Sequence, residues 1–331
     1  MDAPREILVV KPSSLGDIVH TLPAVALLRQ HWPASRLRWI ANTEWLPLLE
    51  GNPDLDEAIE FPRRQFRGVA GALKIAPWAQ ALRARVQADL VLDFQGLLRS
   101  ALIARLCRGE GARVCGLSDA REGARLFYDA QVETAAARHA VDRYLALVRF
   151  VTGQPALGAG ADLRWPLPAG VPVAGLDARP FVLLHPFSRG AGKSLSVAGV
   201  VDFCRALAPR RVVIAGRAGA QLPPIANARD LLNQTSLHEL IWLLRQAAFV
   251  VSVDSGPMHI AAALTARLVS IHTWSDPEKV GPYRPEAWIW RSGALFQRTT
   301  AAARQAIPDV AALAEWVGEQ ADDAPGPAAG P

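Results

Sequence analysis

The sequence predicts an α/β chain of two domains, each a parallel sheet flanked by helices, the two facing each other across a cleft. Three observations predict it. The 331 residues, half of them hydrophobic, exceed what one ordinary core accommodates and suit two domains of about 150 residues. Strand-type runs alternate with helical patterns from end to end. A stretch from 152 to 180, rich in Gly, Pro and Ala, lacks periodicity and reads as a connection crossing the surface.

In the first half, apolar runs at 7–10, 37–41, 58–61, 90–93 and 114–117 read as strands. Helical patterns fill 16–31, 43–49, 66–87, 97–107 and 138–151 between them. A second series starts at 181–185, with further strands at 211–215, 249–253 and 268–272 and helices near 197–207, 236–246, 257–265 and 300–318. The expected boundaries are therefore an N-terminal Rossmann-like domain at 1–160, a C-terminal one at 161–318, and a disordered tail rich in Ala, Pro and Gly at 319–331. Open α/β sheets hold ligands beyond the carboxyl ends of their strands, so functional residues are sought there.

Composition narrows the classes. The N-terminus carries acids and runs straight into a strand, without the basic and apolar regions of a signal peptide. No uncharged apolar stretch reaches the roughly 18 residues of a membrane span. Cys107, Cys115 and Cys204 are odd in number and lack metal-ligand spacing, which fits a reducing cytoplasm. The net charge is +5, spread over both halves, with a local cluster at Arg63, Arg64 and Arg67. That cluster suits an anionic partner or a solvated face. Nucleic acid is disfavoured, because no basic tract with interleaved aromatics and no binding motif occurs.

Four stretches can carry chemistry. The strongest is Phe249 to Leu264, where a buried strand ends at Asp254 and a helix begins around Gly256 and Pro257. Gly256 allows close approach of a ligand, and the unpaired N–H groups of the turn form an anion site with Asp254, Ser255 and His259 around it. The second runs from His185 to Ser194. It lacks the G-x-x-x-x-G-K-[ST] spacing, yet Ser188 and Lys193 can hold phosphate oxygens without a metal. The third is the loop Trp274 to Tyr283, with turn signals at Asp276-Pro277 and Gly281-Pro282. The fourth is Leu92 to Leu97, where Asp93 or Gln95 lines the cleft or packs beside a glycine turn. Before all of these stands Lys11-Pro12-Ser13-Ser14-Leu15-Gly16-Asp17, a strand end meeting a helix start with one carboxylate at the junction. No G-x-G-x-x-G follows the first strand, no G-x-S-x-G exists, and the histidines show no metal spacing, so dinucleotide oxidoreductase, α/β-hydrolase and zincin readings fail.

These stretches together resemble the lipopolysaccharide heptosyltransferases (glycosyltransferase family nine), nearest to the heptosyltransferase I branch. The resemblance rests on K-P-S-S-L-G-D-I-V-H-T-L-P-A at 11–24, D-F-Q-G-L at 93–97 and the run from Arg121 to Val141. It continues through the Ser188/Lys193 loop, T-S-L-H-E-L at 235–240, V-S-V-D-S-G-P-M-H at 251–259 and S-D-P with G-P-Y at 275–283. The order of the set, covering all but the tail, is the specific part.

The resemblance implies a GT-B fold and inverting transfer of heptose from ADP-heptose to the Kdo inner core of lipopolysaccharide (Kdo-lipid A). It places the protein in the cytoplasm, peripheral at the inner membrane's cytoplasmic face, with no metal or other cofactor. It makes Asp17 the general base and gives Lys193 a catalytic role on the donor. Ser188, Lys193, Thr235, Asp254, Ser255, Gly256, His259 and Asp276 fall on the donor side. Ser14, Gly16, Arg63, Arg64, Arg67, Gln95 and Arg121 fall on the acceptor side. Three positions depart from the family pattern, all on the donor side: Ser194-Leu195 after the loop lysine, Arg217 to Gln221 after Gly216, and His272-Thr273-Trp274 before the S-D-P loop. The rival readings are a type II or III heptosyltransferase, a transferase of another nucleotide sugar, and a non-catalytic protein that binds sugar nucleotides.

Overall fold

The computed structural model describes residues 3–134, 137, 139–155, 163–190, 192–298 and 303–322. The chain divides into two units, 1–168 and 169–331. The expected boundary at 160/161 lies outside the described residues, and the division falls eight residues later, at Pro168.

In the first unit, strands β1 (Glu6–Val10), β2 (Arg36–Asn42), β3 (Glu57–Phe61), β4 (Ala88–Asp93), β5 (Arg108–Leu117) and β6 (Ala130–Val132) form one sheet in the order β3-β2-β1-β4-β5-β6. Every pairing is parallel. The helices are α1 (Leu15–His31), α2 (Gly68–Ala72), α3 (Ile75–Arg85), α4 (Leu98–Leu106) and α5 (Ala140–Thr152). Ile7, Leu8, Val9 and Val10 are fully buried, as a central parallel strand covered on both faces requires.

The second unit repeats the winding. Its strands are β7 (Val182–His185), β8 (Val212–Gly216), β9 (Ala228–Leu232), β10 (Phe249–Val253), β11 (Leu268–Ile271), β12 (Trp288–Arg291), β13 (Ala294–Gln297) and β14 (Gln305–Ala306). The order is β14-β13-β12-β11-β10-β7-β8-β9, parallel from β12 to β9, with β13 and β14 antiparallel at one edge. Helices α6 (Val197–Ala206), α7 (Leu237–Gln246), α8 (Gly256–Leu264), α9 (Pro277–Val280) and α10 (Val310–Asp322) complete it.

Counted from their own first strands, both sheets share the order 3-2-1-4-5-6 of the doubly wound fold, with β13 and β14 added to the second. The strand order reverses between β1 and β4 in one unit and between β7 and β10 in the other. In the first, Val10 pairs with Asp93; in the second, His185 pairs with Ser252. The neighbouring strands thus end almost level, and their following loops leave side by side.

Several elements differ from the expected ones. The helix at 43–49 is a 3-10 turn, Thr43–Leu48, with Pro47 inside it. The helix at 66–87 is three pieces, a 3-10 turn Arg63–Phe66, then α2 and α3, because Gly68 adopts φ +70° and Lys74 caps a new start. The helix at 300–318 begins only at Val310, after β14, and 299–302 lie outside the described residues. It runs on to Asp322, so 319–322 are helix and not tail, while 323–331 lie outside the described residues. β6, β9 and the β12–β14 ribbon were not anticipated. Short, charged edge strands such as Ala-Arg-Asp-Leu-Leu carry little alternation. The β12–β13 hairpin did carry a signal: apolar runs flank Ser292-Gly293, both at positive φ.

Gly116 on β5 faces the ring of Tyr128, where an added methyl would stand 2.3 Å from Cε2. Gly116→Ala is expected to destabilise the chain by about 1–3 kcal/mol through overpacking, read as a lower urea midpoint at unchanged slope.

Candidate active site

Each switch point carries a cation–carboxylate pair. In the first unit, Lys11 leaves β1 and is buried, with its Nζ donating to the Phe94 carbonyl at 3.0 Å. The same ammonium lies 3.6 Å from Asp17 Oδ1 and 4.9 Å from the centroid of the Tyr144 ring. The indole N–H of Trp39 holds the Lys11 carbonyl at 3.1 Å, fixing the loop that carries the lysine.

Asp17 sits in the first turn of α1, three residues after the cap Ser14. Its Oδ2 accepts from the Ser14 N–H at 3.0 Å and the Ser14 hydroxyl at 2.8 Å, the reach-back of a capping box. Its Oδ1 accepts from the Tyr144 hydroxyl at 3.1 Å. Burial pushes the carboxyl up, but Lys11, Ser14 and Tyr144 outweigh it and hold the group below the usual aspartate range. Burial conversely depresses Lys11, against the pull of Asp17 and Asp93. Asp17 is therefore at once a cap and a persistently ionised carboxylate.

Of the expected acceptor-side residues, Ser14, Gly16 and Gln95 gather here, with Gln95 Oε1 accepting from the Ser13 N–H at 3.1 Å and Gly16 buried at the helix start. Arg121 is exposed on the neighbouring loop and tied by its N–H to the Gly96 carbonyl at 2.8 Å. Arg63, Arg64 and Arg67 are exposed after β3, on the same carboxyl edge but apart from this cluster. Asp93 resolves as a packing residue: fully buried, it accepts from the N–H groups of Gln95 and Gly96 and from the hydroxyls of Ser100 and Tyr128. Burial pushes its carboxyl up.

In the second unit, Lys193 Nζ donates to Asp254 Oδ2 at 2.7 Å and lies 5.0 Å from the centroid of Trp274. Ser188 donates its hydroxyl to the Asp254 carbonyl at 3.0 Å. Burial raises Asp254, yet the bonds from Lys193 and Ser275 hold it below the ordinary range. A carboxylate so engaged orients the ammonium and does not itself attract a phosphate. Ser255 caps α8, with Gly256 and Pro257 opening the helix, and its hydroxyl lies 3.3 Å from His185 Nδ1. His259 is nearly buried and close enough to His272 to affect its charge. Thr235 precedes the cap Ser236 of α7, and Asp276 is exposed and caps α9 through the Glu278 N–H at 3.0 Å.

A cavity of about 560 Å³ opens beside this pair, floored by Phe187, Leu195 and Val197 and rimmed by Ser188, Arg189, Arg217 and Asn233. Asn233 clamps the loop after β8, its Oδ1 accepting from the Ala218 N–H and its Nδ2 donating to the Ala218 carbonyl. Such a volume suits a small organic ligand. Gly216 adopts φ +129°, and a side chain there would meet His185 Nε2 at 2.6 Å.

Sequence reasoning passed over Lys11, Tyr144, His185 and His272. Lys11 opens the K-P-S-S-L-G-D motif and is recoverable as the first residue after a buried strand. Tyr144 gave no local signal, because it reaches Asp17 from 127 residues away.

The family model for glycosyltransferase family 9 (heptosyltransferase) matches residues 75–306. Lipopolysaccharide heptosyltransferase 1 of Escherichia coli O18:K1:H7 is 27% identical over 328 residues, covering 94% of this chain and 99% of the relative. The solved E. coli heptosyltransferase WaaC with ADP is 26% identical, with a TM-score of 0.74 over 87% of this chain and 93% of that one. The same enzyme with ADP-2-deoxy-2-fluoro heptose gives 25% and 0.72 over the same shares. Other curated relatives carry the name heptosyltransferase 2.

Burial holds His185 and His272 neutral, lowering each to about 4. Below an unfolded value near 6.5 the unfolded chain binds these protons first, so stability falls as pH drops from 6.5 toward 4. The expected loss is about 2 kcal/mol per histidine by pH 5. Unfolding midpoints against pH should show this slope, and His272→Gln should flatten it.

Proposed function

The chain belongs to glycosyltransferase family 9, and from that membership we propose that it moves heptose from ADP-heptose onto the Kdo region of nascent lipopolysaccharide, with inversion. The fold is the two-Rossmann GT-B fold of its heptosyltransferase relatives. One observation carries the division of labour. In the first pair the carboxylate is the accessible partner, Asp17 at 37% against Lys11 at 3%. In the second pair the ammonium is, Lys193 at 23% against Asp254 at 7%. A base must reach an incoming hydroxyl, and a cation must reach a departing phosphate.

In this reading Asp17 takes the proton from the acceptor hydroxyl as that oxygen attacks the anomeric carbon and the bond to ADP breaks. Lys193, Ser188 and the N–H groups opening α8 receive the charge growing on the diphosphate, without a metal. The nucleoside takes the cavity beside Ser188. Arg63, Arg64, Arg67 and Arg121 meet the anionic acceptor, and the reaction runs at the cytoplasmic face of the inner membrane. Among the described residues no helix is long and apolar enough to cross a membrane. The near full-length match to a type 1 relative supports the first heptosyl position.

Mass spectrometry of Kdo-lipid A incubated with the chain and ADP-heptose should show one added heptose. Product only on an already heptosylated acceptor would make the chain type II, and product only with another nucleotide sugar would overturn the donor. Asp17→Asn should cut transfer by about 10²–10⁴ with donor binding kept. Because Tyr144 helps to lower the Asp17 carboxyl, Tyr144→Phe should move the acid limb of kcat/KM to higher pH. Lys193→Ala should raise the donor KM and lower kcat, each by about tenfold or more, and activity should survive EDTA.

A further inference from the structure

The segment after β3 has an inner and an outer side. Inside, Phe66 and Trp78 pack on Phe61 with ring centroids 5.6 and 5.2 Å away, and Leu82 is buried in the core. Gly71 lets α2 lie directly on the preceding turn, since a side chain there would meet the Phe66 carbonyl carbon at 2.5 Å. The fold therefore needs nothing more from this segment. Outside, Val69 and Leu73, one helical turn apart, are nevertheless 86% and 76% exposed, with Ile75 at 44% beside them.

Along this segment the charge has one sign. Between Phe61 and Asp89 there is no Asp or Glu, while Arg63, Arg64, Arg67, Lys74, Arg83 and Arg85 are present. Only Arg85 pairs with an acid, Glu57, among the described residues. A segment that exposes aliphatics among cations without ion pairs matches an anionic lipid surface, whose headgroups attract the cations while its acyl region takes the aliphatics. A protein partner of matching acidity is the less economical occupant, because scattered aliphatic tips present no groove for it.

We propose that the 63–75 face docks on an anionic bilayer, with Val69, Leu73 and Ile75 entering the headgroup–acyl boundary. It starts at the carboxyl end of β3, the edge that also carries Asp17 and Gln95, so docking turns that edge toward a lipid-borne acceptor. That consequence rests on the proposed glycolipid acceptor, whereas the docking itself does not.

The test is co-sedimentation of the full chain with vesicles of phosphatidylglycerol and phosphatidylethanolamine, and with vesicles of phosphatidylcholine. Binding to the anionic vesicles alone is expected, weakening by about fivefold for each cation screened or removed. A Val69→Asp/Leu73→Asp double variant should bind at least about tenfold more weakly. It should still transfer sugar at the wild-type rate to acceptor dispersed in detergent. Lys74→Glu, an exposed single change, gives the same reading if the double variant fails to fold. Wild-type chain left in the supernatant, or variants that sediment as it does, would overturn the docking face. Vesicle binding by a chain that transfers no heptose would uphold the face and sink the functional reading instead.

Discussion

Burying an ammonium is expensive unless its partners are fixed, and the first unit is organised around that constraint. Lys11 leaves a fully buried strand and stays inside, so a carbonyl, an aromatic face and a carboxylate must all be brought to it. Each comes from a different element: Phe94 from the end of β4, Tyr144 from α5, and Asp17 from the first turn of α1. The level ends of β1 and β4 make the first contact possible, and packing of α5 beside α1 makes the second. Asp17 answers that buried charge and also caps its own helix. Its ionisation follows from the architecture and not from solvent.

The second unit solves the same problem with the polarity reversed. Asp254 is the buried member, and Lys193 reaches it from a loop that also passes Trp274. The two units share strand order and switch-point position, yet one presents a carboxylate and the other an ammonium. A doubly wound sheet supplies only the place. In both units the residue that follows the strand is held inside, Lys11 after β1 and Asp254 after β10, and its partner of opposite sign faces outward.

Much of this was legible beforehand. The α/β alternation, the central strands and the four loops at strand ends follow from apolar runs and turn residues, which act locally. Ser14, Asp17, Gln95, Ser188, Lys193, Asp254 and Ser255 all lie where those loops emerge. Other features were not legible, for identifiable reasons. Edge strands are short and charged, so they carry weak alternation, and the 66–87 helix breaks at Gly68 and again at Lys74, where α2 folds onto the Phe66 turn and α3 starts afresh. Asp276 proved to be the cap of α9, and His259 a nearly buried neighbour of His272.

By itself the sequence determined the two-domain α/β architecture, the ordered motif set that marks the family, and the candidate ionisable groups. These depend on periodicity, turn chemistry and residue identity, all readable along the chain. Only the tertiary structure decided which groups meet. Tyr144 joins Asp17 across 127 residues, Asp93 turns inward, and Asp254 pairs with Lys193. Pairing and burial set the charge state and accessibility of an ionisable side chain, and both are properties of neighbours that the linear order does not name.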